Sequence, residues 1–241
     1  DWVARRLGGV RYLRSKSWRE NVESNVSHVI DDAPTSARVR RTARAIFQTN
    51  ALNVASMLRS PHQSSDQLLK TVRVTHGSWV ILEQAVAKGH GVIVLTGHLG
   101  SFDTMGSAIS AHGFPIAALT TKTTNRFTFE FISFLRAAHK VKLIEASSTG
   151  VREAITWVRD GKVLCLLSDR DFFVNGETVT FFGEETTLPV GAVRIARDTG
   201  ATIVPMFTLR QGRNNALMIE QPFVVERTAD RADDLTTGMQ R

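Results

Sequence analysis

Cysteine is nearly absent from this sequence: its 241 residues include only Cys165. No intramolecular disulfide can form, which is typical of proteins from a reducing compartment. Cys165 lies inside the apolar run KVLCLLS, so we expect it to be a small buried hydrophobic residue. No run approaches the ~18 to 20 consecutive apolar residues of a membrane-spanning helix. That absence excludes such a helix within these residues.

The sequence also lacks internal repeats, low-complexity tracts and linkers rich in proline or serine. With 42% hydrophobic residues, a chain of this length can bury a sizeable core in one domain that carries a smaller helical segment. We place a basic helical segment at residues 1–75, packing on the core. Residues 76–241 are then predicted to form the main domain.

Acidic residues are outnumbered, since 30 Lys and Arg against 23 Asp and Glu give a net charge of +7. Excess positive charge indicates an anionic partner, such as nucleic acid, a phospholipid surface or a phosphorylated substrate. The basic residues are dispersed and form no recognisable nucleic-acid-binding module, so no nucleic acid partner is expected. The basic and apolar helical pattern near the start, as in WVARRLGGVRYLRSKSW, favours an anionic membrane surface.

From Ser78 onward, helical patterns alternate with short apolar strands. This alternation predicts an α/β fold in which helices flank a central, mostly parallel sheet. The predicted strands are VIVLT, FPIAALT, KVKLIEA, KVLCLLS and ATIVPMF. A hairpin is predicted at ETVTFFGEE, ahead of a helix that ends at Gly200.

One histidine directly follows the first of these strands: His98, in VIVLTGHLGSFD, with Asp103 five residues later. A loop from a buried strand into a helix lies outside the carboxyl edge of the sheet, where open α/β sheets bind ligands. An aspartate there can fix the tautomer of His98, so that the other ring nitrogen acts as a base. From spacing alone, a simpler interpretation stays open, in which His98 caps a turn and Asp103 is an ordinary helix-start acid.

The stretch KGHGVIVLTGHLGSFD resembles the His-x4-Asp block of glycerolipid acyltransferases, in particular the lipid A biosynthesis acyltransferase family, which includes the phosphatidylinositol mannoside acyltransferases. Residues 166–207 resemble a later block of that family: an Asp-x-Asp turn, a Phe-Phe-Gly hairpin, a Pro-led helix and a strand ending at proline. The chain departs from many relatives at Ser101 and Phe102, where they carry Asn-Trp. It departs from lipid A members at Asp103, where glutamate is frequent.

This resemblance implies transfer of a fatty acyl group from a thioester, on coenzyme A or acyl carrier protein, to a hydroxyl of a lipid or glycolipid. His98 would remove the hydroxyl proton as general base, and Asp103 would orient and support the imidazolium. The chain has no Gly-x-Ser-x-Gly elbow, so no covalent serine intermediate is expected. Acyl-CoA or acyl carrier protein enters as co-substrate, and no further cofactor is predicted.

The segment TKTTNRFTFEFISFLR occupies the place of a substrate-binding segment in the family. Asn125 and Arg136 are the best matches to the family's substrate-binding positions, and Lys122 is a weaker one. Arg136 would grip a phosphate or a carbonyl, because a planar guanidinium suits that task. A solvated helical charge is the alternative interpretation of Arg136.

Three charged residues, Asp169, Arg170 and Asp171, follow the strand KVLCLLS, and we expect them at the same sheet edge as His98. Two carboxylates at this spacing also suit a divalent metal between phosphates. In the family, however, this turn resembles a structural and acceptor-binding element. We therefore predict an acceptor-binding role for all three and no metal.

Two other functions stay open at this stage: a non-catalytic lipid-binding protein of the membrane surface, and a metal-dependent sugar-nucleotide transferase that uses Asp169 and Asp171. An intact His98 and Asp103 argue against the first. The predicted location is the cytoplasmic face of the inner membrane, where acyl thioesters are available. There the chain is expected to be peripheral, or anchored by a segment that precedes Asp1, and relatives extend past Arg241 with another helix.

Overall fold

The computed structural model of the chain describes residues 1–121, 126–171, 176–212 and 214–240. Lys122 and Asn125, both predicted to bind substrate, lie outside the described residues. The chain divides into two compact units, Asp1–Arg59 with Thr180–Glu184, and Ser60–Val179 with Glu185–Arg241. The longer segment of the first unit covers the three N-terminal helices, and the sequence analysis placed the boundary of its helical segment at residue 75.

The first unit contains three helices, α1 (Trp2–Arg14), α2 (Lys16–Ile30) and α3 (Ala37–Arg59). Helix α3 buries Val39, Ala43, Phe47 and Leu52, which follow one another at helical spacing. Gly8 lets α1 approach α3 closely, since a Cβ there would lie 2.6 Å from the carbonyl oxygen of Phe47. The aromatic rings of Tyr12 and Phe47 pack edge to face beside this contact, with centroids 5.6 Å apart.

The second unit is an α/β structure. Apart from residues 180–184 of the β6–β7 hairpin, which belong to the first unit, its strands are β1 (Val72–His76), β2 (Val92–Thr96), β3 (Ile116–Thr120), β4 (Lys142–Glu145), β5 (Val163–Leu167), β6 (Glu177–Phe181), β7 (Glu184–Leu188), β8 (Thr202–Gln211), β9 (Asn214–Ile219) and β10 (Phe223–Val224). Its helices, after a 3-10 turn at Ser60–His62, are α4 (Ser65–Lys70), α5 (Trp79–Ala87), α6 (Phe102–Ala111), α7 (Arg126–Ala137), α8 (Ser148–Arg159), α9 (Gly191–Thr199) and α10 (Arg231–Met239).

The main sheet has the strand order β1-β9-β8-β2-β5-β3-β4, with β10 paired to β8. Its neighbours are parallel except at β8/β9 and β8/β10, which are antiparallel. The predicted α/β fold with a mostly parallel central sheet is therefore confirmed. Strands β1 and β9 were not predicted, and they extend the sheet beyond β8.

Helices cover both faces of this sheet. On β2, Ile93 faces a core shared with α8 and α9, whereas Val92 and Val94 face a core shared with α5 and α6. Successive side chains of a strand point to opposite faces, so strands buried on both sides become continuously apolar. Cys165 belongs to the second of these cores, which confirms the predicted small buried residue.

An ion pair fixes α10 to α9. Arg197 Nε donates a hydrogen bond to Asp234 Oδ2 at 2.7 Å, and both side chains are buried. The Thr228 hydroxyl donates to Asp234 Oδ1 at 2.7 Å, and the Thr228 N–H donates to Oδ2 at 3.0 Å. The hydrogen bond from the Thr228 hydroxyl is the largest influence on this carboxyl. Together with Arg197 it outweighs burial and holds the pKa of Asp234 below its ordinary value.

Asp234→Asn should lower the melting temperature at neutral pH, because the buried Arg197 would lose the charged partner of its Nε and keep only the longer ion pair with Asp198, at 3.3 Å. A carboxyl with a depressed folded-state pKa stabilises fully above its unfolded pKa of ~3.9, and this contribution is lost as the pH falls through the folded value. The difference in melting temperature between variant and wild type should therefore shrink on acidification. The exposed neighbour gives a matched control, Asp233→Asn. Equal melting of Asp234→Asn and wild type at pH 7 would contradict this account.

Candidate active site

The site begins at the register between two neighbouring parallel strands. β2 pairs with β5 so that Thr96 lies opposite Leu167, and the Ser168 N–H donates to the Thr96 carbonyl at 2.9 Å. His98 lies two residues past Thr96, and Asp169 lies two residues past Leu167. The same offset from paired strand ends brings the two side chains together at the carboxyl edge of the sheet.

The imidazole of His98 is bonded to Asp169. Its Nδ1 lies 2.8 Å from Asp169 Oδ1, while the backbone N–H of His98 donates to Oδ2 at 3.0 Å. Gly97 leaves room for this contact between the His98 loop and Asp169, because a Cβ at position 97 would lie only 3.3 Å from the Asp169 side chain. An ionised carboxylate can only accept hydrogen bonds, so Nδ1 carries the proton and Nε2 is the basic ring nitrogen.

The charge of Asp169 is maintained by this contact. Burial is the largest influence and acts to raise the pKa of Asp169, but the hydrogen bonds from the His98 ring and backbone together hold that pKa below its ordinary value. Asp169 is therefore ionised throughout the neutral range. Its stabilising contribution is present above the unfolded pKa of an aspartate and is lost as the pH falls through the folded value.

The histidine partner in the structure differs from the one the spacing suggested. Asp103, which the sequence analysis pairs with His98, instead accepts a hydrogen bond from Arg136 Nε at 2.7 Å. Asp103 lies in the first turn of α6 and Arg136 in the last turn of α7, so this ion pair links the two helices. Arg136 is thus not a solvated helical charge; it is partly buried beside the site.

Two further residues set the position of His98. The Phe102 ring stands edge-on to the imidazole, with centroids 5.3 Å apart. Gly100 adopts φ +60°, and a Cβ there would overlap the carbonyl oxygen of Thr208 on β8. Neither role was predicted from the sequence. The Gly-x-x-Gly spacing around His98 was the available signal for Gly100, because a tight approach to a neighbouring strand requires glycine.

A cavity of about 330 Å³ opens beside these residues. Its apolar wall includes Ile116, Val141, Cys165, Leu166, Val190 and Ile195. Its charged lining consists of His98, Asp103, Arg136, Arg170 and Arg194. A volume of this size falls within the ~300 to 1,000 Å³ range of small-molecule sites. The cavity thus combines a hydrocarbon-like wall with a cationic one.

Arg170 and Asp171, the other two residues of the charged turn 169–171, have different surroundings. Arg170 lines the cavity, whereas Asp171 Oδ2 accepts a hydrogen bond from the Gly176 N–H at 2.8 Å. The carboxylates of Asp169 and Asp171 thus bond to different groups, the former to His98 and the latter to the Gly176 N–H. Across the part of the chain that the structure describes, no group of three or more His, Cys, Asp or Glu side chains could hold a metal ion.

Cys165 lines the same cavity but is a poor nucleophile. Complete burial, the largest influence, raises the pKa of its thiol to about 12. The thiolate is the nucleophilic form of cysteine, and it is essentially unpopulated at neutral pH. The base available in this cavity is therefore the His98 imidazole.

The site thus defines an α/β protein with a histidine–carboxylate pair at the mouth of a largely apolar cavity. The chain belongs to the bacterial lipid A biosynthesis acyltransferase family, whose model matches residues 3–240. The resemblance predicted from its motifs is thereby confirmed.

Individual relatives are more distant. The chain is 26% identical over 209 residues to a phosphatidylinositol mannoside acyltransferase of Mycobacterium tuberculosis, a match that covers 85% of this chain and 66% of that protein. A protein of the same name from Mycolicibacterium smegmatis is 22% identical over 212 residues, covering 85% of this chain and 67% of that protein. A lipid A biosynthesis acyltransferase of Haemophilus influenzae is 28% identical over 128 residues, covering 52% of this chain and 40% of that protein.

Gly100→Ala should destabilise the protein more than Gly89→Ala. Both glycines have positive φ, so both variants carry the ~1 to 2 kcal/mol cost of a left-handed side-chain-bearing residue. At Gly100 the new methyl group also meets the Thr208 carbonyl, whereas a Cβ at Gly89 has no neighbour within 4 Å among the described residues. Thermal melting of the two variants measures the difference, and equal losses would show that β8 does not constrain the His98 loop.

Proposed function

We propose that this protein transfers a fatty acyl group from a thioester of coenzyme A or acyl carrier protein to a hydroxyl group of a lipid or glycolipid. The observation that carries the proposal is the His98–Asp169 pair at the mouth of a cavity with an apolar wall. Membership of the acyltransferase family and the names of the relatives support the reaction class and a glycolipid acceptor. The match covers 66% of the length of the Mycobacterium tuberculosis relative. The activity of the whole protein is therefore stated as a proposal.

His98 acts as the general base in this mechanism. Its Nε2 takes the proton of the acceptor hydroxyl while the hydroxyl oxygen attacks the thioester carbonyl carbon. Collapse of the tetrahedral intermediate breaks the carbon–sulfur bond, and the departing thiolate receives the proton from the imidazolium. Asp169, bonded to Nδ1 at 2.8 Å, keeps Nε2 unprotonated beforehand and stabilises the imidazolium afterwards.

The oxyanion of the tetrahedral intermediate requires hydrogen-bond donors. Arg136 lines the cavity and uses Nε to bind Asp103, so the remaining N–H groups of its guanidinium are the donors that we propose. The first turn of α6 adds the positive end of a helix dipole beside His98. Asp103 is then a positioning residue, which acts through Arg136.

The acyl chain and the acceptor occupy different parts of the site in this proposal. The apolar wall of the cavity suits the hydrocarbon chain, because its burial removes apolar surface from water. Arg170 lines the cavity and is proposed to contact the polar part of the acceptor. Asp171, Lys122 and Asn125 also stay proposed substrate-binding residues.

The contacts of the charged turn weigh against a metal-dependent sugar-nucleotide transferase. That function needs Asp169 and Asp171 to grip one cation, but Asp169 bonds to His98 and Asp171 accepts from Gly176. A non-catalytic lipid carrier needs only the apolar wall. A lipid-carrier function does not explain why a carboxylate fixes the tautomer of a histidine at the cavity mouth.

We further propose that the protein works at an anionic membrane surface, on the cytoplasmic face of the inner membrane. Helix α1 leaves Trp2, Leu7 and Leu13 exposed at 69%, 62% and 63%. The guanidinium of Arg6 lies 5.1 Å from the centre of the Trp2 ring. Basic and apolar side chains are therefore adjacent on the exposed side of α1. Within the described residues, no helix has both the length and the apolar character needed to cross a membrane.

His98→Ala should lower the rate of acyl transfer by ~10² to 10⁴, the usual contribution of a positioned base. Asp169→Asn should reduce kcat strongly with little change in KM, because an amide can favour the wrong imidazole tautomer. The assay is acyl transfer by the purified protein from a radiolabelled acyl thioester to a lipid extract.

His90→Ala is the matched control, since His90 is exposed and lies outside the cavity. A chelator should leave the activity unchanged. Full activity of His98→Ala would rule out the general-base assignment. Full activity of Asp169→Asn together with loss in Asp103→Asn would return Asp103 to the role of histidine partner.

Membrane binding should depend on both vesicle charge and salt. We expect the protein to sediment with vesicles that contain phosphatidylglycerol, and to bind more weakly as salt screens the attraction. The double variant Arg5→Gln/Arg6→Gln should bind about 30-fold more weakly, at ~1 kcal/mol per basic residue. Arg152→Gln/Arg159→Gln removes the same charge from the exposed side of α8 and is the control. Equal binding to neutral and anionic vesicles at low salt would contradict the proposal.

A further inference from the structure

The three arginines that line the cavity differ in their partners. Arg136 is paired with Asp103, the one acidic residue in the cavity lining among the residues that the structure describes. Within residues 1–121, 126–171, 176–212 and 214–240, neither Arg170 nor Arg194 forms an ion pair with a carboxylate. Two positive charges therefore face the cavity without a described counter-charge.

Arg194 is the more constrained of the two. It lies in the second turn of α9, whose neighbouring residues Val193 and Ile195 are buried in the core. The Nε of Arg194 is itself buried and makes no hydrogen bond to any group that the structure describes. Burying a charged donor without an acceptor is costly, so such a group normally has a ligand, a water or a catalytic use.

The same helix carries a second arginine, Arg197, that is buried, whereas Arg194 is half-buried apart from its Nε. Arg197, one turn further along α9, donates to Asp234 at 2.7 Å and to the Thr228 carbonyl at 3.0 Å. Arg197 thus faces α10 with its hydrogen bonds made, whereas Arg194 lines the cavity. The difference indicates that the acceptor for Arg194 is a group that enters the cavity.

The chemistry of that group follows from the lining. A guanidinium binds phosphate through paired N–H···O bonds, and it is favoured where such planar recognition is needed. Pro189, Val190, Gly191 and Ala192 at the start of α9 line the same cavity. The first N–H groups of a helix have no partner within the helix, so this end adds to the preference for an anion.

We propose that Arg194 is a phosphate-binding residue of the cavity, which anchors a phosphate ester of one of the two substrates. This inference rests on the proposed acyl transfer, in which the phosphate belongs either to the carrier of the thioester or to a phosphorylated lipid acceptor. Arg170 provides the second positive charge on the same cavity.

Binding of phosphate compounds tests the subsite without any acyl transfer. Inorganic pyrophosphate and free coenzyme A should raise the melting temperature of the wild-type protein, and pantetheine, which has no phosphate, should have a smaller effect. Arg194→Gln should lose most of this protection, and Arg194→Lys should recover part of it. Arg152→Gln removes an equal charge from the exposed side of α8 and should behave like the wild type.

Kinetics then identify the substrate that carries the phosphate. If the donor carries it, Arg194→Gln should lower kcat/KM about 10- to 100-fold more for an acyl-CoA than for the same acyl thioester of N-acetylcysteamine, the range expected for lost hydrogen bonds to a charged group. If the acceptor carries the phosphate, Arg194→Gln should instead lower kcat/KM more for a phosphorylated glycolipid acceptor than for a phosphate-free one.

Either selective loss supports the phosphate subsite. An equal loss with all substrates, or unchanged protection by pyrophosphate in Arg194→Gln, would overturn it. Failure of the proposed reaction is distinguishable from failure of the subsite. If only the proposed reaction fails, the wild-type protein transfers no acyl group to any lipid. The melting measurements would then still distinguish Arg194→Gln from the wild type.

Discussion

The site depends on the pairing of β2 with β5. Thr96 lies opposite Leu167, and each strand delivers its second following residue, His98 or Asp169, to the same point at the sheet edge. The backbone N–H of His98 bonds to the same carboxylate as its ring does, so the loop and the imidazole are oriented together. Both strands are buried on both faces of the sheet, so packing on each side favours this register. Gly97 and Gly100 then allow the loop to pass close to Asp169 and to β8.

The sequence predicted the elements of the site but not their pairing. The apolar run VIVLT followed by a histidine was sufficient to place His98 at a strand end, and KVLCLLS placed Asp169 at another. The partner of His98 could not be read from spacing, because Asp169 lies 71 residues away and reaches His98 only through the order of strands in the sheet. Asp103 was close in sequence, but its position in the first turn of α6 directs its carboxylate to Arg136.

Four arginines of the second unit fall into two groups according to their partners. Arg136 and Arg197 are each bonded to a carboxylate, and each links two helices, α6 with α7 and α9 with α10. Arg194 and Arg170 line the cavity without such a partner among the described residues. The excess of positive charge in the composition is thus concentrated in part where a substrate would bind. Composition alone indicated an anionic partner, and the structure shows that Arg170 and Arg194 are two of the positive charges that line the cavity.

The protonation of His98 is the quantity on which the mechanism most directly depends, and nitrogen NMR of the imidazole measures it. With ¹⁵N-labelled histidine, the His98 signals are identified by their absence from His98→Ala. At pH 8 we expect the proton on Nδ1 and a free lone pair on Nε2, with this preference lost in Asp169→Asn and kept in Asp103→Asn. A proton on Nε2 in the wild-type protein, or a tautomer that responds to Asp103→Asn alone, would contradict the His98–Asp169 pair as the catalytic base.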